Sequence, residues 1–99
     1  MTIQEMQKAV YQNKVDKGFN VTDVPQEFCL LYGEVAEAHE AWLKKHPDLG
    51  LELADIVIYT MGLAEILGFD LGKELEQKIK INKNRQYVIK NGVLVKVDA

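Results

Sequence analysis

"LELADIVIYTMGLAEILG", residues 51–68, decides the fold. Glu52, Asp55 and Glu65 are its only charged residues. It reads as a helix over 49–67, with Asp48 available as N-cap and Gly68 as the stop. Leu53, Ile56, Val57, Ile58, Met61, Leu63, Ala64 and Leu67 leave it apolar almost all round, so it must be covered on nearly every side. Its three acids argue against a membrane span, which needs about 18 residues with few or no charges. Carboxylates are rarely buried unless paired or bound to a metal. Glu52 and Asp55, three apart on this helix, therefore need a reason.

The flanking sequence supplies more helices. Ile3, Met6, Val10 and Asn13 mark one face of a helix over about 2–16, stopped near Gly18. Thr22 or Asp23 can cap a second helix over 25–45, with Pro25 in its first turn. Phe28, Leu31, Val35, Ala38 and Trp42 form its apolar stripe. Asp70 can cap a fourth helix over 71–84, with Leu71, Leu75 and Ile79 facing inward. The tail changes character: Val, Ile and Tyr flank Asn91-Gly92, the strongest short signal for a two-residue hairpin turn. A hairpin over 87–97 pairs Ile89 with Leu94 and Val88 with Val95, with apolar residues on both faces. The expectation is one all-α domain, 1–99, with a terminal β-hairpin. The few residues around Pro47 make helices two and three an antiparallel pair.

The chain has 99 residues, 47% of them hydrophobic, and a formal charge of −3. That composition supports a modest globular core, which oligomerisation would enlarge, and gives no basic surface for nucleic acid. The single cysteine, Cys29, excludes an internal disulfide and reads as a buried reduced thiol. "MTIQEMQKAVYQNK" contains no apolar signal segment, so a cytoplasmic protein is expected.

"GEVAEAHE" places Glu34 and Glu37 three apart on helix two, as Glu52 and Asp55 are on helix three. Residues at that spacing share a helix face. Folding the two helices together at the Pro47 turn can gather all four carboxylates. Four anions repel unless a cation joins them, and an all-oxygen set suits Mg²⁺ or Mn²⁺. The plainer reading is solvated charge on helix two and helix-dipole charge at the start of helix three. A di-iron site would want Glu-x-x-His pairs; Ala36 and Leu43 stand three before His39 and His46, so that motif is missing.

The paired "ExxE" and "ExxD" motifs resemble the MazG-like family of all-α nucleoside triphosphate pyrophosphohydrolases. So do "KGF" at 17–19, "ELADIVIYTMGLAEILGFDL", and the Lys-x-x-x-Asn-x-x-Arg segment formed by Lys78, Asn82 and Arg85. The likeness spans about residues 12–87. Two departures are Gln86, where many relatives carry Pro, and the apolar hairpin in place of a short basic end. The resemblance implies hydrolysis of an NTP or dNTP to the monophosphate and pyrophosphate, with Mg²⁺ (or Mn²⁺) held by Glu34, Glu37, Glu52 and Asp55. Glu37 is the favoured base for the attacking water. Lys78, Asn82, Lys83 and Arg85 would serve the phosphates. Lys14, Lys17, Phe19, Trp42 and Tyr87 would serve the nucleotide and its base, with Asn13 or Asn20 as further readers of the base edge, although Trp42 also fits the core. A four-helix bundle completed as a homodimer or homotetramer is expected. The competing classes are a non-catalytic helical oligomerisation or regulatory module, and a nucleotide sensor without turnover.

Overall fold

The computed structural model describes residues 1–97; Asp98 and Ala99, part of the expected domain 1–99, lie outside the described residues. Four helices precede one hairpin: α1 (Ile3–Lys17), α2 (Val24–Leu43), α3 (Leu49–Leu67), α4 (Leu71–Asn84), β1 (Gln86–Lys90) and β2 (Val93–Val97). No helix among the described residues is long and apolar enough to cross a membrane.

Local chemistry sets these boundaries. Thr2 and Glu5 close a capping box on α1, accepting from each other's backbone N–H at 3.1 and 3.0 Å. Asp23 and Asp70 cap α2 and α4 by accepting from Gln26 N–H and Lys73 N–H. Asp48 does occupy the N-cap of α3, but its side chain makes no capping bond. Its carboxylate instead lies 3.9 Å from His46 Nδ1, to which its own N–H donates. Gly68 ends α3 in the left-handed region, with Phe69 N–H reaching back to the Ala64 carbonyl. At the end of α2 the same left-handed position falls to a side-chain-bearing residue, Lys45, at φ 55°. The hairpin turns through Asn91 and Gly92, both at positive φ as a type I′ turn requires. Ile89 pairs with Leu94 and Val88 with Val95.

α3 is the central element, packed against α2 on one side and α1 on the other. Glu37 meets Glu52 near the α2–α3 turn, while Phe28 and Leu31 share a groove with Thr60 and Leu63 farther from it. That order is the antiparallel arrangement. α4 packs on α1, where Gln7 staples the junction. Gln7 Nε2 donates to Glu65 Oε2 (2.8 Å) and to the Phe69 carbonyl (2.7 Å), and Gln7 Oε1 accepts from Leu71 N–H (3.0 Å).

The buried hydrophobic residues are Ala38, Met61, Leu63 and Ala64 alone among those described. Several expectations are corrected here. Phe28, Val35 and Trp42 of the α2 stripe are exposed, as are Leu75 and Ile79 of α4, and Cys29 is exposed rather than buried. The reason is that, among the described residues, no second layer lies against these faces. The radius of gyration is 16.9 Å, against about 13 Å for a compact chain of this length. The accessible surface is 7706 Å², against about 5,700 Å² for a closed monomer of this mass. The excess, about 2,000 Å², is more than twice what one partner buries at a standard protein interface, about 800 Å².

Candidate active site

Three acids in the apolar middle of the molecule behave in two different ways. Glu65 on α3 has both oxygens satisfied, by Lys8 Nζ at 2.7 Å and Gln7 Nε2 at 2.8 Å. Those hydrogen bonds, Lys8's first, hold its carboxyl below the usual range. Glu34 and Glu52 each leave one oxygen, Oε2, buried with no hydrogen-bond partner. An unpaired buried carboxylate oxygen is costly, so these two lack a partner that Glu65 has found within the chain.

Glu34, Glu37 and Glu52 present carboxylate oxygens that all lie within 4.8 Å of one another. α2 supplies the first two one turn apart, and the turn at Pro47 brings Glu52 to them. Asp55 lies outside this tight trio but close enough to act on it. Burial is the main cause that pushes the Glu34 carboxyl upward, followed by the negative charges of Glu37, Asp55 and Glu52. Glu37 is the exposed member of the trio; Glu34 and Glu52 are half-buried. Converging, mutually repelling hard oxygens with vacant buried lone pairs fit a divalent cation of the Mg²⁺ or Mn²⁺ kind.

Beside the acids, a cavity of about 370 Å³ opens between α1 and α3. Ala9, Val10 and Ile58 give it apolar walls, Phe19 an aromatic edge, and Asn13, Lys14 and Tyr59 its polar groups. Tyr59 links cavity and acids: burial first, then Glu34, Glu27, Asp55 and Glu37, hold its hydroxyl above the usual range. Lys14 Nζ forms a buried ion pair with Glu27 and lies 5.6 Å from the centre of the Tyr59 ring.

The other candidates are placed as follows. Lys14, Phe19 and Asn13 line the cavity. Lys17 is exposed at the end of α1. Asn20 is occupied within its own loop, donating to the Asp23 carbonyl and accepting from Thr22 and Asp23 N–H. Trp42 stacks on His39 at the outer end of α2, with ring centres 6.1 Å apart. Tyr87 is exposed on β1, opposite Lys96. Lys78, Asn82 and Lys83 are exposed on α4, and Arg85 follows it. Arg85 lines a groove between α4 and the hairpin with Lys80, Asn84 and Lys96, a groove that none of the four acids lines. Tyr59 and Glu27 were not legible as site residues. Tyr59 sits one turn after Asp55, a spacing that could have flagged it; Glu27 reads from sequence only as a first-turn acid.

No family model matches the chain, and no curated protein matches it. Among solved structures it is similar to the cyanophage S-2L MazG-like pyrophosphohydrolase, a protein bound to dGDP and three catalytic Mn²⁺ ions per active site. The identity is 22%, the TM-score 0.73, and the match covers 99% of each chain. The chain therefore has the MazG-like pyrophosphohydrolase fold, with four helices and a terminal hairpin. The resemblance read from its sequence motifs and the architecture agree.

Proposed function

We propose that this chain is a nucleoside triphosphate pyrophosphohydrolase that cleaves between the α and β phosphates. The observation that carries this reading is the trio Glu34, Glu37 and Glu52, with two buried oxygens left unpartnered, on a fold shared with a Mn²⁺- and nucleotide-bound pyrophosphohydrolase. Glu34, Glu37 and Glu52, with Asp55 behind them, would hold Mg²⁺ or Mn²⁺. Such ions, when bound, supply neutralising charge for the triphosphate and for the leaving pyrophosphate. Glu37, exposed to solvent at the edge of the trio, orients the attacking water and takes its proton. The water oxygen bonds to the α phosphorus. The bond from that phosphorus to the α–β bridging oxygen breaks, and pyrophosphate leaves with the electron pair.

The base takes the cavity between α1 and α3, against Phe19 and Tyr59. Lys78, Asn82, Lys83 and Arg85 offer donors and fixed charge for phosphates. None of the four acids lines the Arg85 groove, and association between copies would gather both around one triphosphate. A homodimer or homotetramer also gives the exposed faces of α2, α4 and the hairpin their cover. The test is pyrophosphate release from a panel of NTPs and dNTPs, with Mg²⁺, with Mn²⁺ and with chelator. Metal-dependent release of pyrophosphate and monophosphate is expected. No release from any member of the panel would end the proposal.

A further inference from the structure

The ion pair of Lys14 and Glu27 is not needed by the chemistry at the acids. Glu27 is 1% exposed and Lys14 8%, and Glu27 Oε2 has no donor. Burying two charges removes them from water, and a well-packed apolar pair of similar volume is often as stable or more so. Stability of the fold therefore gives no reason for a lysine here. The seat is nevertheless shaped for one. The Lys14 stem lies across α3 at Gly62, where a Cβ would stand 3.3 Å from Lys14 Cδ. Glu27 engages one of the three ammonium donors, and the Tyr59 ring lies 5.6 Å from Nζ. The remaining donors belong to a residue that forms the wall of the cavity.

We propose that Lys14 reads the nucleobase: its ammonium donates to the carbonyl at the 6-position of a purine or the 4-position of a pyrimidine seated in this cavity, so that guanine, uracil or thymine is preferred to adenine or cytosine. This rests on the reading of the acids as a triphosphate-hydrolysing centre, to which Tyr59 connects the cavity. An ammonium donates and cannot accept. It matches the O6 of guanine and the O4 of uracil or thymine; against the amines that adenine and cytosine carry at those positions it would set donor against donor. Glu27 is a positioning residue that fixes the ammonium before substrate arrives, so little side-chain order remains to be imposed on binding.

The test measures binding of the non-hydrolysable α,β-methylene analogues of dGTP, dUTP, dATP and dCTP with Mn²⁺, beside pyrophosphate release from the natural dNTPs. Wild type should bind the keto pair about tenfold tighter than the amino pair, and kcat/KM should rank the same way. Lys14→Met removes the donors at similar length and should lower keto affinity about tenfold more than amino affinity. Because it leaves Glu27 buried and unpaired, the double variant Lys14→Met/Glu27→Met is measured too. It should melt no lower than wild type and show the same collapsed ratio. Equal keto and amino affinities in wild type, or an unchanged ratio in the double variant, would overturn the assignment; pyrophosphate release in the same samples would leave the hydrolytic reading standing. Keto-selective binding without release would keep the assignment and defeat hydrolysis. Neither binding nor release across the panel would defeat both.

Discussion

Replacing Glu34 by Gln should stabilise the metal-free protein and sharply weaken its response to metal. Glu34 faces Glu37 and Glu52 with ligand oxygens within 4.8 Å. One like-charge pair at that distance costs about 1 kcal/mol in a water-like dielectric and about 3.5 kcal/mol at an effective value of 20. Solvent around these partly exposed groups screens part of this, so removing the charge should return about 1–2 kcal/mol, or about 5–10 °C in Tm. The pH dependence gives a second signature. The Glu34 carboxyl is held above its ordinary 4.5 in the folded chain. Such a group binds its proton more tightly in the folded state, so its contribution is full at acid pH and is lost as pH climbs from the ordinary value through the raised one. The difference in stability between wild type and Glu34→Gln in chelator should therefore open as pH rises out of the ordinary carboxyl range. Melting curves at one protein concentration, in EDTA and in excess Mn²⁺, test all of this. Wild type should gain about 2.7 kcal/mol when the free ion stands at a hundred times its Kd, and the variant much less. A variant that melts lower than wild type in EDTA, or that gains as much as wild type from Mn²⁺, would refute the reasoning.

Three further outcomes are expected. Arg85→Ala should lower kcat/KM for nucleotide at least tenfold with little change in Tm, whereas a loss of stability at unchanged activity would make the residue structural. Lys45→Gly should raise Tm by a few degrees, because Lys45 holds φ 55° in a position that costs a side-chain-bearing residue about 1 kcal/mol. Light scattering should find the full chain at least dimeric, and a chain ending after Tyr87 shifted toward smaller species. A monomeric full chain would sink the oligomer, and an unchanged truncated one would remove only the hairpin's part in it.

What could be read from the sequence was what short-range chemistry determines. Gly68 and Asn91-Gly92 adopt positive φ where their turns require it. The acids at 34, 37 and 52 converge because spacing within two helices and one short turn places them together. What could not be read depended on partners far along the chain. Gln7 is buried because its three partners lie 58, 62 and 64 residues away. Lys14 is buried because Glu27, on the next helix, takes its charge. The stripe through Phe28, Leu31, Val35, Ala38 and Trp42 has the spacing of a core face, yet one chain buries Ala38 and leaves Phe28, Val35 and Trp42 exposed. Spacing records which residues share a face, not whether the cover comes from the same chain.

The most direct test is diffraction from crystals grown with Mn²⁺ and a non-hydrolysable α,β-methylene dNTP, with anomalous scattering used to place the metal. The account predicts Mn²⁺ bonded to carboxylate oxygens of Glu34, Glu37 and Glu52, with the triphosphate on the same ions and the base between Phe19 and Tyr59. Mn²⁺ absent from that trio, or a triphosphate bound away from it, would contradict the account.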